Sequence, residues 1–391
     1  MTSLPAILGG HPVFSSPINI VRPVLPDYSD LVEELQIILN SGMVTKGKYL
    51  SEFENIIAEH LNVKHAIAVS SCTSGLMLTF RGLNLTGEVV VPSFTFMATI
   101  SSLVWSGLRP VFADVNPNST NLDPASAEAA ITPQTSAIVA VHNFGNPAQI
   151  DALINVANRH KISLIFDAAH GFGAQYQGMP VGSQANAQIF SLSPTKLLIT
   201  GEGGLVATND DDLANYIGIG REYGNNGNYD SIFAGLNARM PEFSALMGIK
   251  SFINLEAAAC SRNKTASLYH QLLGQYPGIG FQTVSAGNRN SYKDFSITID
   301  PITFGMNRDV LAQALQSERI DTRKYYQPPA HRQSAYQQYY NDIQLPNTEW
   351  LSAHSLSLPI WSNMSSEITS GICEAINRIH NNKLAINQKL G

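Results

Sequence analysis

The sequence predicts an α/β protein: a large domain built on a mostly parallel sheet of seven strands, followed by a smaller C-terminal α+β domain. Three observations carry this. Short apolar runs recur roughly every 20–30 residues, and segments of helical composition lie between them. After about residue 244 the alternation gives way to a long helical stretch, two strands and two helices. The expected division is therefore 1–250 for an N-terminal segment and the large domain, and 251–391 for the smaller one.

Taken in order, residues 27–62 place Leu31, Val32, Leu35, Ile38, Leu39, Phe53, Ile56, Ile57 and Leu61 at helical spacing, broken by Gly42 and Gly47. That predicts two surface helices around a loop. Seven apolar runs follow: Ala66–Val69, Val89–Val91, Val111–Ala113, Ala137–Val141, Leu164–Phe166, Ile189–Ser191 and Gly204–Ala207. Runs this short and this apolar read as strands buried on both faces. Ser93–Ser106 and Asp151–His160 read as covering helices. Beyond them, Ser244–Leu273 predicts one long helix, Gly278–Ser285 and Asp294–Asp300 strands, and Asn307–Ser317 and Ser366–Asn382 helices.

Composition excludes several classes of function. Of 391 residues, 44% are hydrophobic and 14% charged, which fits a globular chain and not a disordered one. The formal charge of −6, with no basic run, removes the footprint of a nucleic-acid binder. Cys72, Cys260 and Cys373 lie too far apart for a disulfide framework or a metal motif, so a reducing compartment is expected and no metal. No stretch reaches the ~18 apolar residues of a membrane helix, and Met1–Pro5 lacks a basic leader. A soluble, cytoplasmic protein is expected.

Ligands of open α/β sheets gather at the carboxyl ends of the strands, so the loops there are read for chemistry. Ser70-Ser71-Cys72-Thr73-Ser74-Gly75 offers hydroxyls at a helix start, which suits either a cap or an anion site. Pro92–Phe96 carries two aromatics, Phe94 and Phe96, each of which could equally be core. In Asp167-Ala168-Ala169-His170, an acid directly follows a buried strand, so Asp167 is expected to face a cation, or else to cap a helix beside a structural His170. Lys196 stands between an apolar strand and the turn Gly201-Glu202-Gly203-Gly204, where burial would prepare its amine for carbonyl chemistry. An anion cup, an aromatic, a carboxylate and an amine are the groups pyridoxal phosphate requires.

These residues carry a resemblance to the DegT/DnrJ/EryC1/StrS sugar aminotransferases, a family of fold type I pyridoxal-phosphate enzymes, running from about Arg22 to Pro359. The matching stretches are Val44–Gly47, Val69–Leu76, Val91–Thr99, Asp167–Ala174, Phe190–Lys196 with Gly201–Gly204, and Gly235–Met240. The resemblance implies that Lys196 forms the Schiff base, Asp167 partners the pyridine nitrogen and His170 lies near the phenolic oxygen. It implies that Phe96 stacks on the ring and that Thr73 and Ser74, in the loop that holds Cys72, bind the phosphate together with Ser191. Asn237 would reach the phosphate from the other subunit of a homodimer with shared active sites, and Thr45, Arg239 and Tyr325 would lie near the substrate. The implied reaction takes nitrogen from glutamate or glutamine, through pyridoxamine phosphate, to a nucleotide-linked keto-sugar, as in amino-sugar biosynthesis for surface polysaccharides or secondary metabolites. Alternatives of the same ancestry are a cofactor-binding regulator and a pyridoxamine-dependent dehydratase, which carries His where this chain has Lys196. Two positions depart from the family pattern: Cys72 replaces a usual Gly, and Lys48 a frequent Pro. His142, Asn143 and Tyr223 read as substrate contacts or structural residues, and Arg239 as a substrate contact or a partner of Glu242. Asp210–Asp212 reads as a helix cap.

Overall fold

In the computed structural model, residues 4–340 and 342–390 are described. Two helices come first, α1 (Val32–Ser41) and α2 (Lys48–Leu61). Neither start of chain nor local side chain caps α2; the carboxylate of Glu242, almost two hundred residues on, does so. It accepts hydrogen bonds from the N–H groups of Gly47, Tyr49 and Leu50 at 2.9, 2.9 and 3.1 Å. One buried acid thereby satisfies donors that a helix start leaves open and sits at the positive end of its dipole. A Cβ on Gly47 would come within 2.5 Å of that carboxylate, which is why the position takes glycine.

The large unit then alternates strand and helix: β1 (His65–Val69), α3 (Cys72–Gly82), β2 (Glu88–Pro92), α4 (Met97–Trp105), β3 (Arg109–Ala113), α5 (Pro124–Ala129), β4 (Thr135–Val141), α6 (Ile150–His160) and β5 (Ser163–Asp167). A two-stranded hairpin, β6 (Gln175–Tyr176) and β7 (Met179–Pro180), precedes β8 (Ala187–Ser191), β9 (Gly204–Thr208) and α7 (Asp211–Gly220). Seven strands form one sheet in the order β1-β9-β8-β5-β4-β2-β3, parallel except for β9. Alternate residues feed two cores: Ala68, Ile138, Phe166 and Phe190 face one side, Val69, Val139, Ile165 and Ile189 the other. Burial on both faces is what makes each strand a nearly unbroken apolar run. All seven expected strands are present, each within two residues of its expected bounds.

Register sets the site. Asp167 pairs with Ile189, while Ser191 and Val69 both pair with Gly204. The carboxyl ends of β5, β8 and β1 therefore lie side by side with the start of β9.

The rest departs from expectation in places. The long helix is two, α8 (Glu242–Phe252) and α9 (Leu255–Leu273), because Ile253 and Asn254 interrupt it and the Ser251 hydroxyl accepts the Ile199 N–H at 3.1 Å. The helix expected from Ser93 begins at Met97. The smaller sheet has three strands, β10 (Ile279–Phe281), β11 (Phe295–Ile299) and β12 (Ser355–Leu358), all antiparallel. The first is shorter than the expected Gly278–Ser285, and β12 carries no apolar run to announce it. Around them lie α10 (Pro301–Phe304), α11 (Arg308–Ser317), α12 (Pro346–His354), α13 (Ser366–Asn381) and α14 (Lys383–Leu390). The segment ahead of α1 packs on this smaller unit: Ile7, Phe14 and Ile18 join its core, and the Ala6 and Val13 N–H groups donate to Glu318 at 2.8 Å each. Among the described residues, no helix is long and apolar enough to cross a membrane.

Replacing Glu242 by Ala leaves the α2 start unsatisfied, and a loss of about 2–3 kcal/mol is expected in urea unfolding. An unchanged midpoint would contradict the capping role.

Candidate active site

β5 runs apolar through Phe166 and ends in Asp167, which is 4% exposed. Its carboxylate accepts the Thr99 hydroxyl at 2.7 Å and the Ala169 N–H at 3.1 Å, and the Cys72 thiol lies 3.8 Å away. Each of these donors is neutral. Burial pushes the carboxyl up from its usual value, against the pull of those bonds and of the Lys196 charge. An acid so placed stays ionised best when a further cation meets it.

His170 follows one turn later. Its Nδ1 is buried with no hydrogen-bond partner, and burial, with the charges of Lys196 and Lys293, drives its pKa well below 6.5. The imidazole is neutral, with an unsatisfied nitrogen that calls for a ligand atom.

At the start of α3 the two readings of the hydroxyl loop divide between residues. Ser71 and Ser74 form a reciprocal cap, each side chain bonding the other's N–H at 3.1 Å. Thr73 and Cys72 line the cavity without capping, and Ser71 does both. The loop can lie this close to the sheet because residue 204 is glycine: a Cβ there would collide with the Cys72 nitrogen and the Ser71 carbonyl carbon. The Cys72 thiol, pushed well up by burial and then by the Asp167 charge, also reaches the Ile189 carbonyl at 3.6 Å. It is a protonated donor, not a nucleophile.

Lys196 ends a turn after β8 in which its N–H donates to the Ser193 carbonyl at 3.0 Å. Burial, and next the Lys293 charge, lower its ammonium pKa to about 8. Of the two aromatics, Phe94 is core, edge-on to Tyr326 at 5.3 Å, whereas Phe96 is 49% exposed and lines the cavity.

The smaller unit closes the space. Lys293 and Asp294, at a bend before β11, form an ion pair at 2.9 Å, and Tyr325 and Tyr326 lie alongside. The resulting cavity, of about 350 Å³, brings together Lys196, Asp167, His170, Thr73, Cys72, Phe96, Ser191 and Tyr325. Sequence reasoning assigns no role to Thr99, Glu202, Lys293 or Asp294, whereas Tyr326 lies with Tyr325 in the stretch Arg323–Pro329, which resembles a family segment near the substrate. The signal that singles out Asp167, charge abutting a buried strand, is also present in Lys293-Asp294 ahead of Phe295.

Four expected site residues lie apart from that cavity in this chain: Ser74, Thr45, Asn237 and Arg239. Thr45 bridges Pro241. Arg239 pairs with Glu222 at 3.3 Å and not with Glu242, whose carboxylate is committed to α2. It also reaches Asn237 Oδ1 at 3.4 Å and covers the Tyr223 ring. His142 and Asn143 are structural: His142 bonds Gln188 and the Ala148 N–H and stacks on Phe166, and Asn143 donates to the Phe94 and Thr120 carbonyls at 2.8 Å. Asp210 caps α7 through the Asp212 and Leu213 N–H groups, and no metal-binding cluster occurs among the described residues.

Comparison with known proteins places this geometry in context. The model of the DegT/DnrJ/EryC1/StrS aminotransferase family matches residues 27–377. The spore coat polysaccharide biosynthesis protein SpsC of Bacillus subtilis (strain 168) is 32% identical over 365 residues, covering 89% of this chain and 94% of its own. DesI, crystallised in the presence of its TDP-sugar product, is 36% identical with a TM-score of 0.90, over 97% of this chain and 96% of its own. PseC of Helicobacter pylori, an aminotransferase of pseudoaminic acid biosynthesis, is 26% identical with a TM-score of 0.88, over 94% and 100%.

The lowered pKa of Lys196 has a measurable consequence. Its neutral amine dominates above pH about 8, so labelling by an amine-selective acylating reagent should rise to that pH and then level off. An ordinary lysine keeps rising to about pH 10.4; such a profile at Lys196 would contradict the assignment.

Proposed function

The chain belongs to the DegT/DnrJ/EryC1/StrS aminotransferase family, and on that premise we propose that it moves an amino group from glutamate or glutamine to a keto-sugar attached to a nucleotide. The observation that carries this reading is the meeting, in one cavity, of a buried carboxylate bonded only by neutral donors, a buried unpartnered imidazole nitrogen and an amine with a depressed pKa.

Those residues fit pyridoxal phosphate. Asp167 would meet the ring nitrogen and supply the anion that a protonated pyridine needs, and His170 would meet the phenolic oxygen through a ring nitrogen that has no other partner. Thr73 and Ser191, with the free N–H groups at the start of α3, would hold the phosphate. Phe96 offers an open ring face to the cofactor's ring, and Lys196 is the residue that joins it covalently. When bound, the cofactor supplies an electron sink for the electrons released as the donor loses its α-proton.

The chain's own groups do the rest. Lys196 Nζ, whose ammonium pKa is lowered to about 8, accepts the donor's α-proton and returns it nearby. Asp167, its carboxylate held in place by Thr99 and Ala169 before any substrate arrives, would favour the protonated form of a ring nitrogen bound against it. Tyr325 and Tyr326 from the smaller unit limit access of water.

The proposal includes a homodimer. Asn237 is exposed and lies outside its own chain's cavity, so a shared site would take it from the partner. Three free cysteines suit a cytoplasmic setting.

Replacing Asp167 by Asn should leave cofactor binding detectable by absorbance while slowing the half-reaction with glutamate by about 100-fold or more. A variant as fast as the parent would remove Asp167 from this role.

A further inference from the structure

Lys196 has a second amine for company. Lys293 lines the same cavity, is 8% exposed, and spends its ammonium on the residue beside it: Asp294 Oδ1 and Oδ2 lie 2.9 and 3.1 Å from Nζ. The Tyr325 ring backs the ammonium at 5.6 Å. The backbone here is fixed from two sides. Arg262 Nη1 donates to the Tyr292 and Lys293 carbonyls at 3.1 and 3.3 Å, and the Ser291 hydroxyl donates to the His170 carbonyl at 2.7 Å. Lys293 is thus held in a set position beside the imidazole.

An α-amino acid brings a problem that a sugar does not. Its carboxylate is one bond from the carbon whose proton Lys196 must reach, so it enters the half-closed cavity and needs a cation there. Among the described residues lining the cavity, the cations are Lys196 and Lys293, and Lys196 is engaged in the chemistry. We propose that Lys293 is the subsite for the donor's α-carboxylate and Asp294 its resident counter-ion, displaced when the donor enters and restored when the uncharged sugar ring takes its place. The inference rests on the aminotransferase reading. It gives Lys293 an anionic partner both when the donor's carboxylate is present and when the sugar ring takes its place.

The test uses the full chain loaded with pyridoxal phosphate and α-methyl-L-glutamate, which has no α-proton and does not turn over. Binding is measured by calorimetry, with the α-carboxamide analogue as the uncharged control. Lys293→Met should weaken binding of the carboxylate by about tenfold or more and leave that of the carboxamide unchanged, while Lys293→Arg stays within about threefold of the parent. Asp294→Asn, which removes the competing anion, should bind the carboxylate at least as tightly as the parent. Equal losses for both ligands in Lys293→Met, no loss for either, or weakened binding in Asp294→Asn overturns the proposal. If the parent binds neither ligand, the reading of glutamate as donor falls and takes the subsite with it; if the parent binds and Lys293→Met binds equally, only the subsite falls.

Discussion

Asp167 is a carboxylate buried at the end of a strand and bonded by a hydroxyl, a backbone N–H and a thiol, with no cation among its hydrogen-bonding partners. Left so, the charge is costly, and much of the surrounding structure is arranged about that cost. Thr99 comes from α4, Cys72 from α3, Ala169 from the turn after β5. The carboxyl ends of β1, β2 and β5 must therefore arrive at one end of the sheet, as their common direction in the sheet provides. The glycine at 204 lets the α3 loop lie over β9, and so brings a helix start to the same place.

Charge inside the cavity is balanced in pairs. Burial and the Lys293 charge lower the Lys196 pKa to about 8, and Lys293 is paired in turn with Asp294. His170 is kept neutral by the same two lysines and by burial. A site of this kind favours ligands that bring a cationic ring nitrogen to Asp167 and an anion to the positive side. The smaller unit is thus part of the cavity wall and not a mere cover, since it contributes Lys293 and Asp294.

Much of this was legible in the sequence because its signals are local. Strands buried on both faces leave apolar runs, and the acid, aromatic and amine that follow Phe166, Pro92 and Phe190 stand out against them. What was not legible depends on partners far along the chain. Nothing near Gly47 announces that Glu242 caps α2, and nothing near Arg239 announces Glu222. The strand Ser355–Leu358 has only two apolar residues: Leu356 and Leu358 join the core, while the Ser357 hydroxyl meets that of Ser296. The break at Ile253–Asn254 falls just after Ser251, whose hydroxyl accepts the Ile199 N–H, a tertiary contact that helical spacing does not encode.

The most direct test of the central claim is to load the full chain with pyridoxal phosphate, reduce it with borohydride and map the modified peptide by mass spectrometry. Two lysines share the cavity, so the method has a built-in control. The account predicts a stable adduct on Lys196 and none on Lys293. An adduct on Lys293 instead, or none in the cavity at all, would contradict it.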